Sequence, residues 1–233
     1  MNKVLILLAI LFTLSACVGA PQQTDVPVQP DDQATPGSIS ELATLMANPS
    51  EIDEVIVVTQ PASADFFSQM GITLSVPACS GLTLSQTEGP YYTPDTPERN
   101  TLLEDGMQGT RLILVGYVLD QNCQVLSNAW IDFWQADANG QYDNSGYRLR
   151  GHQFSDAQGR YYLETIVPGE YPGRTEHIHF KVQPQNGNVL TSQLYFPDVS
   201  ANQSDGIFDP SLVLKIEDKG DYLIGYFDFV VQN

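Results

Sequence analysis

Basic residues are scarce in this chain of 233 residues. Its 10 lysines and arginines stand against 28 aspartates and glutamates, which gives a formal net charge of −18. No lysine or arginine occurs between Val4 and Glu98. A protein this acidic is repelled by phosphate backbones and by anionic lipid headgroups. We therefore expect no nucleic-acid partner.

Long apolar runs are also scarce, and the longest lies at the N-terminus. Lys3 precedes an apolar run over 4–14, which is too short for a membrane-spanning helix of ~20 residues. We predict a signal peptide over residues 1–16. The run ends in Leu-Ser-Ala-Cys17, which resembles the lipobox of bacterial lipoproteins. The resemblance implies a lipid on Cys17, export to the bacterial cell envelope, and no membrane contact besides this anchor; an ordinary cleaved signal is the alternative.

Only three cysteines are present. If Cys17 carries lipid, Cys79 and Cys123 remain as a pair in an oxidising compartment, where disulfides persist. We predict a disulfide between them, and two separately buried thiols are the alternative.

The composition changes twice along the chain. Residues 17–37 are rich in Pro, Gln, Asp and Thr, which predicts a disordered tether. Residues 38–78 form an extension of unknown role, in which a short helix over 38–46 and a strand or docking segment over 54–59 are compatible with the sequence. We expect a single domain over residues 79–233.

This domain has the pattern of an all-β protein. Residues 129–135 alternate, so that Trp130, Asp132 and Trp134 face one side while Ile131 and Phe133 face the other. Short strands without helical stretches between them predict an antiparallel β-sandwich with a short N-terminal extension. The predicted strands are 111–119, 129–135, 160–166, 176–182, 190–196, 212–216 and 221–230.

Two of the three histidines stand at alternate positions, as His177-Ile178-His179. Alternate residues of a strand point to the same face, with Cα atoms roughly 6.5–7 Å apart, so both imidazoles can reach one metal ion. A pair of hydrogen-bonded or exposed histidines is the alternative. Tyr171 and Arg174 precede the pair in a short loop.

The residue types near this pair favour iron over zinc. Zinc sites prefer cysteine, histidine or carboxylate ligands, and no cysteine lies near the pair in the sequence. A phenolate is a hard, anionic ligand that suits ferric iron. A hydrolytic zinc site is an alternative, but it lacks an obvious carboxylate general base near the histidines.

Several further segments accompany the histidine pair in a fixed order. With them, residues 87–196 resemble the intradiol ring-cleavage dioxygenases, the family of catechol 1,2-dioxygenase and protocatechuate 3,4-dioxygenase. Any one segment is weak support, whereas all of them in family order are strong support. The matching segments are Thr87–Tyr92, Trp134–Tyr142, Arg150–Gly151, Asp156–Tyr161, Thr165–Gly169, Tyr171–Phe180 and Gln193–Phe196.

The resemblance implies specific roles for the matching residues. It implies a non-haem Fe(III) ion held by Tyr142, Tyr171, His177 and His179, with Tyr171 leaving the iron when substrate binds. It assigns catalytic roles to Arg174, Tyr171 and Gln193, with Arg174 beside the bound ring and Gln193 at the pocket wall. Gly89, Pro90 and Tyr91 resemble the segment that closes over the substrate. Trp134 is predicted to lie in the core, and His152 to be structural.

The implied activity is cleavage of catechol rings by O2 between the two hydroxylated carbons, which gives muconate-type diacids. A non-catalytic, lipid-anchored sandwich that binds sugars, polyphenols or another envelope protein is the alternative function. The loop from Tyr171 to Arg174 is shorter than in cytoplasmic family members, and it resembles the exported branch of the family. We expect this short loop to leave a more open pocket, and the sequence does not select one catechol or one oligomeric state.

Overall fold

Nine strands and one short helix make up the regular structure of the described residues, apart from two 3-10 turns at Ser200–Gln203 and Pro210–Leu212. The computed structural model describes residues 65–75, 77, 79 and 81–233. The described residues belong to one compact unit, Ser63–Asn233. The elements are α1 (Phe66–Met70), β1 (Arg111–Asp120), β2 (Trp130–Gln135), β3 (Arg150–Phe154), β4 (Arg160–Ile166), β5 (His177–Gln183), β6 (Leu190–Tyr195), β7 (Lys215–Asp218), β8 (Leu223–Tyr226) and β9 (Phe229–Val231).

The first sheet has the strand order β4-β1-β8-β7, and β9 pairs with the far end of β1. β1 runs antiparallel to β4 but parallel to β8 and β9. Residues 227–228 separate β8 from β9. The Phe227 carbonyl lies so close to Gly116 of β1 that a Cβ on Gly116 would be 1.8 Å from the carbonyl oxygen. The Asp228 side chain then accepts a hydrogen bond from the Tyr117 N–H at 2.9 Å. The strand predicted over 221–230 is therefore two strands.

The second sheet has the order β3-β2-β5-β6, and all its pairings are antiparallel. Its register places Arg150, Trp134, His179 and Gln193 side by side across the four strands. Directly paired residues share a face of a sheet, so these four side chains project from the same side.

The hydrophobic core lies between the two sheets. Ile131 and Phe133 of β2 and the alternate residues of β5 point into it and are fully buried. Phe229 lies at its centre, with its ring centroid 4.9 Å from that of Tyr161 and 4.4 Å from that of Phe180. Each such buried side chain contributes about 1.5–3 kcal/mol to folding. The β-sandwich prediction is confirmed, with parallel pairing at β8 and β9 as the departure from an all-antiparallel arrangement.

The outer face of the second sheet is covered by the segment 86–98. The Thr87 carbonyl accepts a hydrogen bond from Gln193 Nε2 on β6, at 3.1 Å. The Tyr92 hydroxyl donates to Asp132 on β2, at 3.1 Å, and Thr96 Oγ1 donates to the other oxygen of Asp132, at 2.8 Å. The segment thus crosses β6, β5, β2 and β3 and encloses the polar side chains that project from them.

α1 packs against the first sheet and was not predicted. The Asp65 side chain caps its N-terminus by accepting from the Ser68 N–H, and Gly71 ends it in the left-handed conformation. The Phe66 ring stacks on Tyr162 of β4, with centroids 3.7 Å apart, and Phe67 is buried. The helical part of the extension 38–78 therefore packs on the sandwich.

The structure contains the predicted disulfide between Cys79 and Cys123. Cys123 lies in the turn between β1 and β2, where the Cys123 N–H donates to the Asp120 carbonyl at 3.0 Å. His152 is structural as predicted, since its Nδ1 lies 2.7 Å from the Thr96 carbonyl.

Six of the seven predicted strands coincide with strands of the structure to within a few residues, counting 221–230 as β8 and β9. The prediction over 212–216 is displaced, because Pro210–Leu212 forms a 3-10 turn and β7 begins at Lys215. β3 was missed. The signal peptide, Cys17, the tether, and the helix and strand considered over 38–46 and 54–59 lie outside the described residues. Among the residues that are described, no helix has the length and apolarity to cross a bilayer.

Candidate metal centre

His177 and His179 project together from the start of β5. Both side chains are buried on the outer face of the second sheet, while Ile178 between them packs into the core. As the sequence predicted, the alternation of side chains along the strand places both imidazoles on one face of the sheet.

Tyr142 reaches the histidines from the loop 136–149, between β2 and β3. The carboxylate of Asp143 accepts hydrogen bonds from the N–H groups of Ser145, Gly146 and Arg148, at 2.9–3.0 Å, which folds the chain back after Tyr142. The Asp143 carbonyl in turn accepts from Nε and Nη2 of Arg150, at 3.2 and 2.8 Å. This loop is ordered by side chains that bond to its backbone.

Tyr171 and Arg174 face each other across a tight loop between β4 and β5. The Arg174 N–H donates to the Tyr171 carbonyl at 2.9 Å, and Pro172 and Gly173 lie exposed at the tip. Gly173 has φ +82°, a conformation that a residue with a Cβ rarely adopts. The short loop brings the phenol and the guanidinium to the histidines within a few residues of β5.

The four predicted ligand atoms converge on one point. His177 Nε2 lies 3.2 Å from His179 Nε2, 3.3 Å from the Tyr142 hydroxyl and 3.5 Å from the Tyr171 hydroxyl. Ligand atoms that each lie about 2 Å from a shared ion are themselves roughly 3–3.5 Å apart. The spacing of these atoms therefore fits one bound metal ion.

Hydrogen bonding and burial leave the histidines ready to coordinate. His177 Nδ1 lies 2.6 Å from the Thr175 carbonyl, so Nδ1 carries the proton and Nε2 presents its lone pair. Burial, together with the positive charge of Arg174, lowers the pKa of His177 to about 4. Burial also holds the pKa of His179 well below its usual value. Both rings are thus neutral at pH 7, as metal ligands must be.

The two phenols need a strongly charged ion before they ionise. Burial raises the pKa of Tyr142, and the neighbouring Tyr171 raises it further. Burial also raises the pKa of Tyr171, although Arg174 opposes this effect. In the part of the chain that the structure describes, no group of three or more His, Cys, Asp or Glu residues is placed to hold a metal. The donor set is therefore two imidazoles with two phenols, which suits a hard trivalent ion such as Fe(III).

The segment 86–98 passes over this donor set, and the closure of Gly89, Pro90 and Tyr91 over a substrate stays a prediction. A Cβ on Gly89 would lie 3.3 Å from Cε1 of His179, so the backbone passes directly over that ring. The Tyr91 ring stacks on Tyr142 with centroids 4.3 Å apart. Pro90, between them, is exposed.

Arg174 and Gln193 lie beside the donor set. Arg174 Nη2 donates to Gln193 Oε1, and Nη1 lies 3.4 Å from the Tyr171 hydroxyl. The sequence did not identify Asp205, whose carboxylate accepts from Arg174 Nε at 2.9 Å. No motif marks Asp205, because it is brought to the site by an irregular loop.

Trp134 and Arg150 are two further residues of the site. Trp134 is fully buried, as predicted, and its ring also stacks on His179, with centroids 4.8 Å apart, on the face of β2 that carries the site. Arg150 is also buried, on the strand next to Trp134. Its position opposite Trp134 follows from the register of β3, which the sequence analysis missed.

Comparison with known proteins assigns this arrangement to a family. The family model described as dioxygenase matches residues 87–231, which is more than half of the chain and includes all four donor residues. The chain belongs to the intradiol ring-cleavage dioxygenase family. The prediction made from the ordered motifs is therefore confirmed at the level of the family.

Solved structures of intradiol dioxygenases share this fold. The dioxygenase domain of a dioxygenase–carbohydrate-binding protein fusion from the cellulolytic bacterium Streptomyces sp. SirexAA-E is 47% identical, with a TM-score of 0.64, over 65% of this chain and 98% of that one. The intradiol ring-cleavage dioxygenase from Tetranychus urticae is 27% identical, with a TM-score of 0.60, over 66% of this chain and 95% of that one.

Curated relatives are longer than the matched region. The protocatechuate 3,4-dioxygenase beta chain of Burkholderia cepacia is 33% identical over 118 residues, which is 43% of this chain and 50% of that protein. The hydroxyquinol 1,2-dioxygenase of Rhizobium sp. is 26% identical over 61% of this chain and 59% of that protein. The chain thus spans about half the length of the curated relatives that it matches.

Proposed function

We propose that this chain is a non-haem Fe(III) dioxygenase that opens catechol rings between the two hydroxylated carbons. One O2 is consumed for each ring, and both oxygen atoms enter a muconate-type diacid, so no further reductant is needed. The observation that carries the proposal is that the donor atoms of Tyr142, Tyr171 and His179 all lie within 3.2–3.5 Å of His177 Nε2. The curated relatives include enzymes named as dioxygenases of catechol, hydroxyquinol, chlorocatechol and protocatechuate, which supports a catechol-type ring as the substrate.

Tyr142, Tyr171, His177 and His179 are the residues that would hold the iron. Fe(III) bound there would supply a Lewis acid for both catechol oxygens and would make the ring reactive towards O2. As phenolates, the two tyrosines offset two of its three positive charges. The two neutral imidazoles add ligands without adding charge.

Tyr171 is the residue that we assign to accepting a substrate proton. It is only half-buried, and the loop tip beside it, at Pro172 and Gly173, is exposed. As a phenolate, Tyr171 would accept the proton of a catechol hydroxyl at Oη, which is general base work. Tyr142, in contrast, is fixed by its stack with Tyr91 and stays in place.

Arg174 is the residue that we assign to stabilising negative charge on the ring. Its Nη1 points towards the Tyr171 hydroxyl, the position that a substrate oxygen would share. Gln193 and Asp205 hold the guanidinium in this orientation before substrate arrives. A charge-bearing donor that is already in place lowers the cost of the charged transition state.

The decisive experiment combines a metal analysis, a visible spectrum and an oxygen-electrode assay. We expect one iron per chain, a tyrosinate-to-iron absorption band in the visible, and one O2 consumed per catechol. Tyr142→Phe should shift that band and reduce turnover at least about 100-fold. Tyr117→Phe is the control, because this half-buried tyrosine lies on the first sheet. An iron-loaded but colourless protein, or one that binds catechols without taking up O2, would refute the proposal and favour a non-catalytic binding module.

We also propose that this chemistry takes place in the bacterial cell envelope, with the domain held there by lipid on Cys17. The disulfide between Cys79 and Cys123 supports an oxidising compartment, because such bonds are rare in the cytosol. The full chain should fractionate with membranes, and Cys17→Ser should release it to the soluble fraction. If wild type and Cys17→Ser were both released from membranes to the same extent without detergent, the proposed lipid anchor would be refuted.

A further inference from the structure

Each nitrogen of the Arg174 guanidinium already faces a polar group of the protein. Nε donates to Asp205 at 2.9 Å, Nη2 donates to Gln193, and Nη1 lies 3.4 Å from the Tyr171 hydroxyl. Its positive charge is paired with Asp205, whose side chain is 1% exposed. The ion pair is thus largely removed from solvent screening.

Asp205 is fixed in place and ionised. Its Oδ2 also accepts from the Thr175 N–H, and its Oδ1 accepts from the Ile207 N–H, both at 3.1 Å. Although burial favours the neutral acid, these N–H groups and Arg174 hold the pKa of Asp205 below its usual value. Arg174 and Asp205 therefore behave as a pair with no net charge.

The other cations close to the donor set are also unable to serve an anion. Lys181, two residues beyond His179 on the same face of β5, lies 2.5 Å from the carboxylate of Glu88. Arg150 is 1% exposed and bonds the Asp143 carbonyl. Lys181 is thus paired with a carboxylate, and Arg150 is too deeply buried to contact an arriving molecule.

The surface next to Tyr171 and Arg174 adds negative charge. A cavity of about 370 Å³ opens there, lined by Glu170, the loop Tyr171–Arg174, Ala201 and Ser204. Glu170 is its one carboxylate, and Arg174 is its one basic residue. An anionic substituent that enters this cavity meets the carboxylate of Glu170 and an arginine whose charge is paired with Asp205.

We propose that Asp205 sets the charge preference of this site, so that it takes catechols without an acidic substituent and disfavours those that carry a carboxylate. The inference rests on the proposed function, since it concerns the substrate of that same site. Asp205 acts through Arg174, as a positioning residue that also removes the net charge available to substrate.

The test compares two ligands that differ in charge but little in size: 3,4-dihydroxybenzoate and its methyl ester, with catechol as reference. Binding to the ferric protein is titrated without O2 through the visible band, and kcat/KM is measured with O2. We expect the ester to bind at least about tenfold more tightly than the acid, and the preference to shrink as ionic strength rises. An acid that binds as tightly as its ester at low ionic strength would overturn the proposal.

Asp205→Asn removes the charge and keeps the shape: the amide oxygen can still accept from Arg174 and Thr175, the Ile207 N–H loses its acceptor, and Arg174 regains its net charge. The variant should bind the acid about tenfold more tightly than wild type does, with little change for the ester. Asp198→Asn is the matched control, because it removes an exposed charge from the same loop, and it should leave the ratio unchanged. An unchanged ratio in Asp205→Asn, with ester binding intact, would also overturn the proposal.

The outcomes distinguish this inference from the function on which it rests. If no catechol alters the visible band or consumes O2 in the wild-type protein, the proposed function fails and the inference fails with it. If ring cleavage occurs and the acid is preferred, the inference alone fails. Should Asp205→Asn not fold, the wild-type comparison of acid and ester at two ionic strengths still decides.

Discussion

His177 and His179 are held by different means. His177 donates from Nδ1 to the Thr175 carbonyl, whereas the buried Nδ1 of His179 has no hydrogen-bond partner among the described residues. The orientation of the His179 ring comes instead from packing, between the stacked Trp134 ring and the backbone of Gly89. Shape complementarity at Gly89 therefore takes the role that a hydrogen bond takes for His177.

Replacing Gly89 with alanine should damage the metal centre more than it damages the fold. The new Cβ would lie 3.3 Å from His179 Cε1, and the φ of +74° is unfavourable for any residue with a Cβ. We expect a loss of about 1–2 kcal/mol in stability and at least about tenfold weaker iron retention. Iron retention is measured by competition with a chelator, and stability by urea unfolding.

Gly71→Ala is the matched control for this change. Gly71 has a similar φ of +64°, but a Cβ there would have nothing within 4 Å. The control should lose similar stability and keep its iron. Equal iron retention in both variants would show that Gly89 does not orient His179.

Arg150 fixes the loop that carries Tyr142, and lysine should not replace it. Two of its nitrogens bond the Asp143 carbonyl, while Nε and Nη2 of Arg99 bond the carbonyl of Arg150 itself, at 2.9 and 2.7 Å. A lysine has one point-like ammonium and cannot make the paired contact. Arg150→Lys should therefore release iron to a chelator at least about tenfold faster and lose about 2 kcal/mol in stability. Arg111→Lys is the control, because the Arg111 side chain is 43% exposed. This variant should neither release iron faster nor lose stability.

At the scale of elements, the strands that the sequence predicted are those with one apolar face. β2 and β5 alternate between the core and the site, and their period was visible in the residues. β3 was missed because Arg-Gly-His-Gln-Phe contains no alternation of apolar residues. Gly151 lies where the Arg99 side chain and Leu102 pack closely, so this strand is fixed by contacts from distant residues.

The residues of the candidate site likewise divide into those that a local motif marks and those that distant contacts bring in. The sequence predicted the four donor residues, because their motifs are local and ordered. Asp205 could not be predicted, since it meets Arg174 across 31 residues through a loop that follows no pattern. The loop's course depends on single contacts, such as that of Asn202 Oδ1 with the Thr175 hydroxyl at 2.7 Å, which no periodicity encodes.

The attachment of α1 should depend on pH. Hydrogen bonds from Ser68, with the nearby Arg160, lower the pKa of Asp65 from 3.8 to about 2. A carboxylate with a depressed folded-state pKa stabilises the fold above its unfolded pKa, and this stability is lost as the pH falls through the folded pKa. The stability that wild type has over Asp65→Asn should thus be full at pH 7, smaller at pH 3 and absent near pH 2.

Urea unfolding of the two proteins at pH 7 and pH 3 measures this difference. Met70→Ala is the control, because it removes packing from α1 without removing a charge, and its cost should be the same at both pH values. If the free energy of unfolding differed between wild type and Asp65→Asn by the same amount at pH 7 and pH 3, the ionised cap would not be what attaches α1.

At the scale of the whole molecule, the two sheets have separate tasks. The second sheet and its loops carry all four donor residues and Arg174, while the first sheet completes the core. The candidate metal centre lies at the end of β2 that leads to Tyr142, since His179 pairs with Trp134 there. The disulfide joins Cys79 to the turn before β2, which lies at the opposite end of this strand. It therefore stabilises the fold at a distance from the site.

Removing the disulfide should therefore lower stability without altering the iron centre. Cys79 and Cys123 are 44 residues apart, and closing a loop of that length removes unfolded-state entropy that corresponds to about 4 kcal/mol. Either single serine variant should cost about as much as the double variant, because each breaks the same bond. Iron content and the visible band of the folded protein should match wild type. Additive losses from the two single variants, or iron lost from folded protein, would show that these cysteines act other than as a cross-link.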